Sequence, residues 1–143
     1  MDHSECALAY FKQGCNCAQA VFTSFGPEYG LSPEQCMHLT GAFGGGLARR
    51  GEMCGAVSGA LMVVGLKYGH SPIGDPEAKA EMYEHAQQFI KRFIEVHGTP
   101  ICRELLGCDI STPEGKQRVH EHNLSQTHCA HFIRSAVELL ESF

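Results

Sequence analysis

Apolar residues recur along this chain at three- and four-residue spacing, punctuated by glycine and proline, and no run alternates with the two-residue period of a half-buried strand. Cys6, Ala7, Tyr10 and Phe11 share one helical face up to Gly14. Asn16 is a cap for a second helix, whose buried stripe runs from Cys17 through Ala18, Val21, Phe22 and Phe25 to Gly26 and Pro27. Ser32, Pro33 and Gln35 form a capping-box start for a third, with Cys36, Leu39 and Thr40 on its inner side. From Gly41 to Gly55 six glycines interrupt the pattern, which predicts a long turn. A central helix from Cys54 to about Tyr68 follows, and Gly55, Ala56, Gly59 and Ala60 give it a face small enough for close helix approach.

Asp75 and Pro76 open the longest helix, with Ala78, Met82, Ala86, Phe89, Ile90 and Phe93 turned inward until Gly98. Thr99 and Pro100 begin a short helix carrying Cys102, Leu105 and Leu106, and Thr112 and Pro113 begin another carrying Lys116 and Val119. The last helix, capped by Thr127 or Ser125, holds Cys129, Phe132, Ile133, Ala136, Val137 and Leu140. The expectation is an all-α fold: one compact multi-helix domain over residues 1–143, with a Gly-rich turn before a central small-residue helix.

Composition narrows the function. With 143 residues the chain has the size of one domain, and 43% hydrophobic against 19% charged residues is a globular balance. A formal charge of -5 repels a phosphate backbone, so nucleic acid is not an expected partner. No apolar run reaches the roughly 18 residues of a membrane span, and the first twenty residues lack an export-signal pattern. A soluble, cytoplasmic protein without membrane contact is expected.

The eight cysteines then become the candidate chemistry. Burial as a small hydrophobe is the default for a cysteine, and Cys6 and Cys36 fit it on their apolar faces. Cys17, Cys54, Cys102 and Cys129 instead stand where helices begin, where free amides and the positive helix end favour a thiolate. They are too far apart in the chain for a local CxxC site, so a common site requires four helix ends to converge. Cys15 is an accessory ligand or resolving thiol, and Cys108 a loop thiol with an option of pairing with Cys102.

Gly14-Cys15-Asn16-Cys17-Ala18-Gln19-Ala20-Val21, the Gly44 to Gly46 triplet, Cys54-Gly55-Ala56-Val57-Ser58-Gly59-Ala60, Cys102 through Gly107, Ser111 through Gly115 and Cys129 through Leu140 resemble the redox-active protein family named for its C, GCAxxG, C, C pattern. Here the second block begins Cys54-Gly55, the reverse of the first two letters of that name. The resemblance covers almost the whole chain. It implies a helical protein with four signature cysteines, matched to Cys17, Cys54, Cys102 and Cys129. The pattern is also similar to a domain of split-Soret cytochromes, in which an iron–sulfur centre accompanies the haem, but no CxxCH haem attachment motif is present here.

Three readings follow. The four cysteines ligate a [2Fe–2S] cluster for electron transfer to a redox partner protein; they hold zinc in a structural or interaction protein; or, without metal, Cys17 and Cys54 act as a catalytic dithiol in a thiol–disulfide oxidoreductase. Gly44, Gly45 and Gly46, followed by Arg49 and Arg50, offer close backbone and donors to an anion or to cluster sulfur. The segment is neither a phosphate loop nor a Rossmann turn. His128 and His131 flank Cys129, where an imidazole would serve as a zinc ligand or proton shuttle, while His38, His70 and His97 sit near helix ends. A homodimer fits a small cysteine-rich domain, and the cytochrome likeness points the same way.

Overall fold

A computed structural model describes residues 2–69 and 73–143. His70, expected near a helix end, lies outside the described residues. Among the described residues the structure is all-α. Eight helices run α1 (His3–Lys12), α2 (Cys17–Phe25), α3 (Pro33–Thr40), α4 (Gly55–Tyr68), α5 (Pro76–His97), α6 (Cys102–Leu106), α7 (Pro113–Glu121) and α8 (Ala130–Glu141). A 3-10 turn, Gly26–Tyr29, follows α2, and a π-helical turn, Ser125–Cys129, leads directly into α8. None of these helices is long and apolar enough to cross a membrane.

Helix starts follow local chemistry. Asn16 accepts from the Gln19 amide while the Gln19 side chain accepts from the Asn16 amide, and Ser32 with Gln35 repeats the arrangement. Asp75 and Thr112 cap α5 and α7, each with proline next in the chain. On α3, Cys36 and Thr40 are buried, but Leu39 is 56% exposed, because residue 39 lies off the stripe set by the i, i+4 pair.

α2 packs most extensively on α4, α1 and α8 flank this pair, and α5 covers α4 and α8. The small face of α4 sets that packing. A Cβ on Gly59 would lie 2.7 Å from the Ala18 carbonyl oxygen, and one on Gly55 would lie 3.0 Å from the Cys17 Cβ. The two backbones therefore meet where α2 begins, which carries Cys17 against the start of α4. Gly65 on the same helix faces open space. Gly65→Ala is expected to stabilise the protein by about 0.5–1 kcal/mol in urea unfolding, since only the entropic cost of glycine is removed. Gly59→Ala, which has no room, is expected to destabilise it in the same assay.

The starts of α6 and α8 differ from their sequence-based reading. Thr99 does not cap the helix carrying Cys102; its hydroxyl accepts from the Ile101 amide, and the helix starts later, at Cys102 itself. Neither Thr127 nor Ser125 caps the last helix. The Thr127 hydroxyl donates back to the Asn123 carbonyl, and Cys129 sits inside a continuous helical path at the π-to-α junction. Cys129 thus lacks the free amides of a helix start.

Candidate functional site

Cys17, Cys54, Cys102 and Cys129 line one cavity of about 580 Å³. Four separate pieces of local structure deliver them. Cys17 is the first residue of α2, fixed by the Asn16 capping box. Cys54 is itself the cap residue of α4, with the Ala56 and Val57 amides facing its sulfur. Cys129 comes from the π turn, whose wider winding precedes α8.

Cys102 is delivered by an isolated antiparallel bridge between Met53 and Ile101. Around it the Cys54 amide donates to the Pro100 carbonyl at 2.8 Å and the Cys102 amide to the Glu52 carbonyl at 2.6 Å. Side chains alternate across an extended segment, so with Met53 and Ile101 opposite each other on one face, Cys54 and Cys102 both leave from the other. Sequence reasoning missed this bridge; a one-residue pairing leaves no alternating run to detect.

The Gly-rich turn closes the site. Gly45, Gly46, Leu47, Ala48 and Arg49 have φ of 64, 70, 67, 51 and 63°, five consecutive residues of left-handed winding. For the three that are not glycine this costs about 1–2 kcal/mol each. The turn is tied by hydrogen bonds from Arg49 to Gly44, from Gly51 to Gly45 and from Glu52 to Gly46, at 2.8–3.1 Å. It is wedged between two parts of the site: a Cβ on Gly44 would meet the Asn16 side chain at 2.4 Å, and one on Gly46 would meet the Cys102 Cβ at 2.6 Å. Gly44, Gly45 and Gly46 all line the cavity, and among the described residues their amides have no protein acceptor. Sequence reasoning placed these glycines at the site but not the left-handed winding, which depends on residues as unexceptional as Leu47 and Ala48.

Cys54 and Cys102 are buried, and Cys17 and Cys129 are partly so. Burial pushes the Cys54 thiol up to about 11 despite the two amides, and burial with the nearby Cys54 and Cys129 sulfurs takes Cys102 to about 12. Cys17 and Cys129 face each other. A proton retained on Cys17 stabilises the Cys129 thiolate, holding the first well above and the second below the ordinary thiol range. Among the described residues no three His, Cys, Asp or Glu side chains converge closely enough to hold one metal ion.

Of the remaining candidates Arg49 lines the cavity, while Arg50 and the other cysteines and histidines lie outside its lining. Cys36 is buried and Cys6 partly buried, and Cys15 is a partly buried free thiol. Cys108 donates to the Gly115 carbonyl at 3.8 Å. His128 meets the Thr127 hydroxyl at 2.8 Å, and His131 packs edge-on against His97. The wall is instead completed by residues the sequence did not single out as site residues, including Ile110, Lys116, Ser125 and Phe132.

A family model described as putative redox-active protein, C_GCAxxG_C_C, matches residues 15–143. The chain belongs to this family. The match includes all four cavity cysteines and the left-handed turn, and leaves out residues 1–14, which contain the whole of α1. No curated protein and no solved structure matches the chain.

In chemistry, though not in convergence on one point, the donor set is that of the metal centres expected from the sequence. Four thiols around a common space suit iron–sulfur or zinc ligation, both of which need thiolates. The cradle at Gly46, which a single Cβ would fill, keeps backbone close to Cys102.

Proposed function

We propose that this family member is an electron-transfer protein in which Cys17, Cys54, Cys102 and Cys129 hold a [2Fe–2S] cluster. The observation that carries the proposal is that four cysteines from four distant segments line one cavity. When bound, such a centre supplies one reversible electron.

The thiols fall into two pairs. Cys17 and Cys129 shift each other's titration in opposite directions, and Cys54 and Cys102 leave the same face of the Met53–Ile101 bridge. Two pairs around a common space suit a two-iron core. A single zinc ion instead draws all four sulfurs to about 2.3 Å from one point, and among the described residues no three His, Cys, Asp or Glu side chains converge so tightly. Ligation removes the protons that burial retains on Cys54 and Cys102, so binding should release protons and strengthen with rising pH. The free amides of Gly44, Gly45 and Gly46 are donors available to sulfur, and such bonds tune the reduction potential.

The mutual influence of Cys17 and Cys129 also supports a second reading, a metal-free dithiol in which Cys129 replaces the Cys54 expected from the sequence as the partner of Cys17. In that chemistry the Cys129 thiolate attacks an external disulfide and Cys17 resolves the mixed disulfide. The products are one Cys17–Cys129 disulfide and two substrate thiols.

Anaerobic purification followed by visible absorption, metal analysis and acid-labile sulfide analysis decides between these readings. Iron and sulfide at about two each per chain are expected. One zinc without sulfide would establish a structural site. Absence of metal with a two-electron titration yielding a Cys17–Cys129 disulfide would establish the dithiol.

A further inference from the structure

The cavity is larger than the centre proposed for it. Even at ~30 Å³ per atom, the share of one water in the liquid, a core of two irons and two sulfides fills only about a fifth of the space. Its volume of about 580 Å³ lies within the range of small-molecule pockets. The surplus has an apolar wall, formed by Phe11, Leu105, Leu106, Ile110, Val119 and Phe132.

The charge of the lining is one-sided. The chain carries -5 overall, yet among the described residues no Asp or Glu lines the cavity, while Arg49 and Lys116 do. Both are exposed, whereas Cys54, Cys102, Leu106 and Phe132 are buried, so the cations stand on the solvent side and the apolar and sulfur surfaces lie deeper. Among the described residues neither cation has an ion-pair partner; neighbouring Arg50 has Glu52 at 3.7 Å. Arg49 is also the last residue of the strained left-handed turn, which keeps it beside the cavity. Cations meant only to offset buried thiolates would be most effective near the sulfurs, away from water. At the rim they meet what enters.

We infer that the cavity binds a small organic carboxylate with an apolar body, its carboxylate between Arg49 and Lys116 and its body along the apolar wall toward the cysteines. This deepens the four-cysteine reading by assigning the site a ligand class, but the binding itself requires no metal. The guanidinium fork of Arg49 suits a planar carboxylate, and the lysine adds an adjustable second charge. The apolar contact supplies binding energy that exposed ion pairs alone do not.

The test uses octanoate as probe, titrated calorimetrically into the full chain, anaerobic and reduced, both as purified and after iron chelation. Iron and sulfide are measured on the same samples, so failure of the cluster reading is seen separately. Saturable binding is expected at one site per chain, with octanol much weaker. Arg49→Gln with Lys116→Gln should weaken octanoate at least about fivefold, as loss of two exposed charge contacts implies. Raising salt should weaken octanoate binding to the parent protein and leave the double variant little changed. Arg50→Gln, one residue away and outside the lining, should bind like the parent, and far-UV circular dichroism should match in all three. No saturable octanoate binding, equal affinity for octanol, or undiminished binding by the double variant would each overturn the inference.

Discussion

Cys17→Ser and Cys54→Ser are each expected to lower iron and acid-labile sulfide per chain at least about tenfold after anaerobic purification, while Cys6→Ser retains the parent content. Each cavity thiol comes from a different segment, and of the eight cysteines these four line the cavity. Serine preserves size but is a poor ligand for a soft iron–sulfur centre. Cys6 does not line the cavity, and its replacement alters only packing on α1. Cys15 is the obvious substitute ligand for Cys17, two residues earlier, but it lies outside the lining; the Cys15→Ser, Cys17→Ser double variant should therefore be no poorer in iron than Cys17→Ser. Equal iron in Cys6→Ser, Cys17→Ser and Cys54→Ser would sink the four-cysteine centre.

The second large effect is expected at a residue with no side chain. Gly46→Ala combines a backbone at φ 70°, worth about 1–2 kcal/mol against an L-residue, with a methyl group that would sit 2.5 Å from the Glu52 amide nitrogen and 2.6 Å from the Cys102 Cβ. Both neighbours are held by the hydrogen bonds around the Met53–Ile101 bridge, so neither can turn aside as a flexible side chain would. Overpacking of this kind adds about 1–3 kcal/mol, giving a total near 2–5 kcal/mol. Gly107→Ala is the control. Its φ is 71°, but nothing lies within 4 Å of the added methyl, so it should show only the backbone part. Urea unfolding of the reduced, metal-free protein measures both, and equal losses would show that the turn does not press on Cys102. With the proposed cluster bound, Gly46→Ala should also lower iron content, because Cys102 would be the ligand displaced.

The helices and most of their starts were legible in the sequence because they are local. Asn16 with Gln19, Ser32 with Gln35, Asp75 before Pro76 and Thr112 before Pro113 each satisfy amides within a few residues, and all four operate in the structure. The small face of α4 was equally legible, since Gly55 and Gly59 leave room that only a neighbouring backbone can use. Thr99 and Thr127 bear the same chemistry but do not cap their helices. Their hydroxyls bond Ile101 and Asn123, and a cap motif cannot reveal which of several nearby partners packing will favour.

The amino-acid order by itself determined an all-α fold, four cysteines set apart from the packing ones, and a glycine segment tied to them. Tertiary structure alone decided that Cys17 faces Cys129, that one Met53–Ile101 bridge turns Cys54 and Cys102 to a common side, and that Lys116 stands with Arg49 at a cavity lined by no carboxylate among the described residues. The division has a physical basis. Helix signals are written in neighbours three and four positions apart, whereas these contacts join residues dozens of positions apart, and their geometry exists only once α2 and α4 have closed on each other.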